Sequence, residues 1–225
     1  MMIKACNPAN HGRSRGTNGI KYIVIHYTAN LGDTAKNNAD YFAREKVSAS
    51  AHYFVDENEV WQSVAPYYTA WHCGGKLQGK NGHAYYGVCT NTNSIGVEIC
   101  MLTKNAVIRK DSIKNAAKLV RQLMAEYHID IDHVIRHFDV TGKECPAPMV
   151  VDTKLWDSFK AMLTEQEETE MRYKYYEDMP DWAKPTISKL VKKGLLKGDG
   201  NGVIDLGEDA LKVLVINDRV GMYGI

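Results

Sequence analysis

Residues 20–29 read IKYIVIHYTA, and the rest of the chain is best read outward from them. Isoleucine, valine and tyrosine leave both faces of this stretch apolar, which predicts a central, buried strand. His26 stands near its C-terminal end, where open α/β sheets build their sites. Residues 93–101, NSIGVEICM, predict a second core strand. Between the two, NNADYFAREK (37–46) predicts a short helix. SAHYFVDENEVWQSV (50–64) predicts a hairpin around an Asp-Glu-Asn turn. The glycine-rich WHCGGKLQGKNGHAYYG (71–87) is long for a connection and therefore either functional or mobile.

Beyond the second strand, Ile113, Ala116, Ala117, Val120, Leu123, Met124 and Tyr127 recur at helical spacing, so 112–128 predicts an amphipathic helix with one buried face. HVIRH (133–137) predicts a short strand, and DVTGKECPAP an irregular loop ending in prolines. A helix over 153–163, with Leu155, Trp156, Phe159 and Leu163 inward, closes a domain over residues 1–163.

Composition then changes. TEQEETEMR (164–172) is charged and almost without apolar residues, as a linker is. Residues 173–225 predict a small helix–loop–helix unit, with Trp182, Ile187, Leu190 and Val191 on one helix face and Leu211, Leu214 and Val215 on the other. A piece of that size has little core of its own, so docking or dimerisation is expected. DGNG (199–202) is not a calcium loop, because Val203 stands where an oxygen donor is required.

With 44% hydrophobic residues among 225, the chain can bury one medium domain and a small appendage. Its 28 lysines and arginines against 27 acids give a formal charge of +1, which argues against a nucleic-acid binder. No apolar run approaches the roughly 20 residues that span a bilayer. The opening MMIKACNPANHGRSRG has no apolar core, so a secretory signal is not expected and synthesis and folding in the cytoplasm are. Five cysteines, irregularly spaced, make a poor disulfide framework; free thiols or metal ligands are the better reading.

Two histidines stand out from the eight. His26 and His137 both lie at or near the ends of core strands, both precede polar loops, and Cys145 follows His137 by eight residues. Two imidazoles and a thiolate form a three-ligand zinc set that leaves a fourth position for water. Spacing alone does not establish it, since the ligands are far apart in sequence. A Cys145–His137 nucleophile pair is the rival, but leaves His26 and Glu98 without roles. Glu98 lies within an apolar strand, where burying a carboxylate is costly unless it has a partner or a task. Lys143 is two residues from Cys145, within reach of a metal if the loop wraps around it.

The segments VIHYTAN, SAHYFVD, NSIGVEIC and RHFDVTGKECP, in this order, resemble the type 2 N-acetylmuramoyl-L-alanine amidases, a family that includes phage endolysins, bacterial autolysins and peptidoglycan recognition proteins. The resemblance runs from about Ile20 to Leu163. It implies an α/β fold, a mixed central β-sheet flanked by helices with zinc in a cleft. It implies Zn²⁺ on His26, His137 and Cys145, Glu98 as the proton-transferring carboxylate, and Lys143 opposite the developing oxyanion. The implied reaction is hydrolysis of the amide between N-acetylmuramic acid and L-alanine in peptidoglycan. A phage or prophage endolysin, acting at the bacterial wall after release, is the implied setting. The alternatives are a non-catalytic peptidoglycan receptor on the same fold and a zinc peptidase cutting within the stem peptide.

One position departs from the pattern. Some members carry a catalytic tyrosine just before the histidine of the hairpin strand, where this chain has Ala51; the proton chemistry is therefore expected to fall to Glu98. His72, Trp71 and Asn93 are expected to contact substrate, with Asn91 beside them, and His52 to support the site or to pack. Tyr85 and Tyr86 in the glycine-rich loop are expected to shape specificity. YEDMPDWAKPTISKLVKKGLLKGDGNG resembles part of an S-layer-homology module. That implies a C-terminal unit that binds cell-wall polymer, or one that joins two copies.

Overall fold

Strands β3 (Tyr22–Tyr27) and β7 (Ser94–Ile99) pair in parallel over their full length, from Tyr22 with Ser94 to Tyr27 with Ile99, in the computed structural model of the chain. The structure describes residues 1–164 and 171–224. It divides into two compact units, residues 1–165 and 166–225; the expected linker lies largely outside the described residues.

In the first unit, six strands run in the order β1-β5-β4-β7-β3-β8: β1 (Met2–Ile3), β4 (Tyr53–Val55), β5 (Val60–Gln62) and β8 (Val134–Arg136) join the central pair. The β4–β5 hairpin is antiparallel, whereas β4, β7, β3 and β8 run parallel. The sheet is therefore mixed and the unit α/β, as expected. A small second sheet, absent from the sequence reading, pairs β2 (His11–Ser14) with β6 (Tyr68–Ala70).

Alternation along the central strands sorts their side chains. Ile23, Ile25, Ile95, Val97, Ile99 and Val134 face one way and are closed over by α2 (Lys110–Tyr127) and α5 (Thr153–Thr164). The periodic stripe of α2 is buried at Ile113, Ala116, Ala117, Val120 and Leu123, while Met124 and Tyr127 are partly so. In α5, Phe159 and Leu163 are buried, and Leu155 and Trp156 pack partly against the same core. Helix α1 (Ala35–Arg44), capped by the Thr34 hydroxyl accepting from Asn37 N–H at 3.1 Å, packs on β4 and β5 through Ala35, Ala39 and Phe42. On the opposite face of the sheet, β7 and β3 present Gly96, Glu98, Val24 and His26. No helix among the described residues is long and apolar enough to cross a membrane.

DVTGKECPAP is less irregular than expected. His137 opens a short helix, α3 (His137–Thr141), and α4 (Ala147–Val151) follows the motif. The Asp139 carboxylate accepts from Arg136 N–H at 2.8 Å, closing the first turn of α3. Helix α3 ends at Gly142, whose φ is 77° and where an added Cβ would stand 1.9 Å from the Gln78 carbonyl oxygen. Only glycine fits there, on both counts.

The second unit contains the two expected helices, α6 (Lys184–Lys192) and α7 (Glu208–Arg219). It also carries an antiparallel pair, β9 (Arg172–Tyr175) with β10 (Val203–Gly207), so it is not purely helical. Met179, Ala183, Ile187, Leu211 and Val215 form its core. Two expected core positions are corrected: Trp182 precedes α6 rather than lying on its buried face, and both it and Val191 are 42% exposed.

Candidate metal centre

Strand order assembles the site. β7, β3 and β8 are parallel neighbours, with His26 level with Glu98 across one ladder and Ile25 level with Arg136 across the other. His137, the next residue after β8, therefore arrives beside His26. Three chemically active side chains meet at the carboxyl ends of adjacent parallel strands, the position predicted for sites in such sheets.

Cys145 is returned to the same point by its loop. Phe138 N–H donates to the Cys145 carbonyl at 2.8 Å, and Cys145 N–H to the Lys143 carbonyl at 2.6 Å. The eight-residue interval from His137 to Cys145 is thus a closed loop whose two ends adjoin. The glycine-rich stretch clamps it from outside: Gln78, His83 and Tyr85 N–H groups donate to the carbonyls of Thr141, Phe138 and Asp139 at 2.7, 3.0 and 2.9 Å. That is a bracing task. Tyr85, expected to shape specificity, packs edge-on against Tyr22, and its hydroxyl donates to Asp132 O.

One donor atom from each of His26, His137 and Cys145 lies within 4.8 Å of the others, and all three residues are buried. The His26 and His137 rings are 4.7 Å apart, and His26 Nδ1 stands 3.7 Å from Cys145 Sγ. His137 Nε2 is enclosed with no hydrogen-bond partner. Burial drives His26 far below the ordinary imidazole range, helped by the neighbouring His137; burial and Lys143 together take His137 down to about 4. Both rings are therefore neutral at pH 7, with lone pairs available to a metal. Burial and Glu98 push the Cys145 thiol up to about 12, so its thiolate needs a cation beside it. An orphaned imidazole nitrogen, a second neutral imidazole and a thiol starved of a counter-charge suit a divalent, sulfur-tolerant ion.

Glu98 Oε2 is likewise enclosed without a partner. Burial raises this carboxyl to about 7, against the pull of Lys143 and with a push from Asp33. Lys143 is exposed on the rim. Two adjoining hollows share Tyr27, Phe42, Phe54, Glu98, Lys143 and Cys145. The inner one, of about 160 Å³, adds His26, His137, Ala51, Trp71 and His72. The outer one, of about 650 Å³, adds Asn30, Asp33 and the α1 residues Asn37, Asn38 and Tyr41. That face of α1 was not foreseen, although the Asn37–Tyr41 spacing of four was readable as one helix face. Ala51 lines the inner hollow with a methyl group, so no hydroxyl is available at that position.

The remaining expected residues separate. Trp71 lines the inner hollow. His72 also borders it but is hydrogen-bonded between His26 and Ser94. Asn93 is at the far end of β7, where its side chain accepts from Thr90 N–H and donates to Val88 O, and it borders neither hollow. Asn91 Oδ1 accepts from the His72 and Cys73 N–H groups. His52 is fully buried just before β4, with Nδ1 accepting from Gly96 N–H at 2.9 Å.

Residues 16–148 match the family described as N-acetylmuramoyl-L-alanine amidase. Over 147 residues the chain is 37% identical to N-acetylmuramoyl-L-alanine amidase CwlL of Bacillus licheniformis, a match covering 63% of this chain and 40% of that protein. The chain thus matches well under half the length of this relative. Among solved structures, the catalytic domain of XlyA is 30% identical with a TM-score of 0.58, covering 72% of this chain and 97% of the other. PlyL is 28% identical with a TM-score of 0.60, covering 73% and 97%.

Proposed function

The chain belongs to the N-acetylmuramoyl-L-alanine amidase family, and from that premise we propose that it cleaves the amide joining the lactyl group of N-acetylmuramic acid to L-alanine in peptidoglycan. The observation that carries this reading is the convergence of His26, His137 and Cys145 within 4.8 Å beside an unpartnered Glu98 carboxylate oxygen. His26, His137 and Cys145 would hold a zinc ion. When bound, zinc supplies Lewis-acid polarisation of the scissile carbonyl and lowers the pKa of water towards about 7.

The protein's own groups do the rest. Glu98, poised at about 7, accepts the proton of the attacking water and passes it to the departing amide nitrogen of L-alanine. Lys143 places a positive charge where the carbonyl oxygen becomes negative. Ala51 contributes no acid or base, so Glu98 carries the proton alone. The walls formed by Tyr27, Phe54 and Trp71 shield these groups from water, and the outer hollow along α1 would take the stem peptide.

The test is mass spectrometry of purified cell wall digested by the full chain, with and without a chelator. New L-alanine amino termini that vanish with the chelator are expected. Fragments cut within the stem peptide would favour a zinc peptidase, and wall binding without fragments a receptor.

The second unit would hold the enzyme on the wall, in the manner of an S-layer-homology module. Supporting this is a hollow of about 330 Å³ in which Trp182 adjoins Glu208, Lys212 and Arg219. A half-exposed indole beside charged groups offers a stacking face and hydrogen bonds to a sugar polymer. Trp182→Ala is expected to weaken co-sedimentation with walls by roughly 10-fold or more, with turnover on soluble muropeptides unchanged. Unaltered co-sedimentation, with the protein dimeric by light scattering, would transfer the unit to self-association. The setting that fits these parts is lysis of a bacterial wall by a phage or prophage endolysin.

A further inference from the structure

The inner hollow rests on a layer of side chains to which the reaction gives no task, and with singly protonated rings their hydrogen bonds run in one direction. Ser94 Oγ is 2.6 Å from the Thr90 carbonyl oxygen. Two oxygens that close share a proton, and only the hydroxyl has one, so Ser94 donates to Thr90. Ser94 then faces His72 Nε2, at 3.2 Å, with a lone pair, and Nε2 must carry the hydrogen. In its singly protonated form that is the ring's one N–H, which leaves His72 Nδ1 as an acceptor. That atom lies 3.1 Å from His26 Nε2, so His26 is protonated at Nε2. The lone pair of His26 is thereby on Nδ1, the nitrogen turned towards Cys145 Sγ at 3.7 Å.

The geometry points to His72 as a positioning residue, which with Ser94 and the Thr90 carbonyl forms a relay that locks His26 in the tautomer presenting Nδ1 to the metal. This rests on the reading of His26 as a ligand. The ring that does the locking is itself built in. Gly96 lies beneath it, and a Cβ there would stand 2.5 Å from His72 Cγ. The His52 ring meets it edge-on, with centroids 5.6 Å apart. Asn91 Oδ1 accepts from both His72 N–H and Cys73 N–H, at 3.1 and 2.9 Å, and fixes the backbone. A ring so held can neither swing away nor flip without losing bonds at both nitrogens. Fixing the orientation and tautomer of a ligating imidazole through its other nitrogen is how outer groups tune a metal centre.

The experiment labels histidine with ¹⁵N in the full chain and reads the tautomers by long-range ¹H–¹⁵N correlation, alongside zinc affinity by chelator competition. In the unaltered protein, His26 and His72 are both expected to be protonated at Nε2. His72→Ala is expected to lower zinc affinity by about 10- to 100-fold and to let His26 populate both tautomers. His72→Gln, whose Oε1 can accept the same hydrogen, is expected to restore much of the affinity, which a purely space-filling role would not predict. Protonation of His26 at Nδ1 in the metal-free protein would overturn the relay, as would a folded His72→Ala variant binding zinc as tightly as the parent. The tautomer reading needs no substitution, so misfolding of a variant does not remove the test. An Nε2–H tautomer in a protein that binds no zinc would leave the relay standing and remove the metal reading instead.

Discussion

Cys145→Ser is expected to lower turnover on peptidoglycan by about 10³-fold or more, since even outer-layer changes at metal sites cost roughly 10- to 100-fold. A thiolate provides both the soft donor and the only negative charge among the three proposed ligands; a serine hydroxyl provides neither near neutral pH. Stability separates this effect from simple misfolding. With its pKa at about 12, the thiol is protonated at pH 7 in the metal-free protein, so serine replaces one neutral group with another. The metal-free variant should melt close to its parent. Zinc at about 1,000 times its Kd would stabilise the parent by about 4 kcal/mol, and calorimetry should show that increment lost in Cys145→Ser. Full turnover in the variant would remove Cys145 from the ligand set.

Such a site was partly legible because its residues lie where local pattern is strongest. The unbroken apolar run around Val24 announced a central strand, and His26 and Glu98 were visible as exceptions within two such strands. The stripe from Ile113 to Leu123 announced α2 for the same reason. What was hidden depended on pairing across distance. Strand β2 is HGRS, four residues with no alternation, and becomes a strand only because Tyr68–Ala70 pairs with it. β9 and β10 are separated by helix α6, so neither RYKY nor VIDLG showed its partner.

The surroundings of His72 were hidden for a related reason. A histidine opening a glycine-rich loop looks like a substrate contact. Its hydrogen bond with Ser94, 22 residues later, and the room that Gly96 leaves beneath its ring are not visible in that pattern. The closed loop from His137 to Cys145 was equally invisible, because the hydrogen bonds that close it are made by backbone rather than by any motif residue. The motif RHFDVTGKECP does not by itself show why Gly142 is part of it. The contact with Gln78 supplies that reason.

Glu98→Gln is expected to separate turnover from stability in opposite directions. Losing a positioned general base costs about 10²- to 10⁴-fold in kcat, while the zinc ligands stay in place, so metal content should be unchanged. For stability, burial holds the Glu98 carboxyl at about 7 in the folded chain, against 4.5 for the ordinary group. Between those values the folded state keeps a proton that the unfolded chain has released. Stability from this group is therefore full below about pH 4.5 and is lost as pH rises through about 7. Glutamine mimics the protonated form at every pH. Metal-free Glu98→Gln should match its parent near pH 4 and exceed it at pH 8 by on the order of 2–3 kcal/mol. Urea melts at the two pH values measure this. Equal stability at pH 8 would mean the carboxylate is not strained in the fold, and unaltered turnover would end its role as base. If both effects appear, the chain retains at Glu98 a group that weakens its own fold near neutral pH, as a carboxylate kept for chemistry rather than for packing would do.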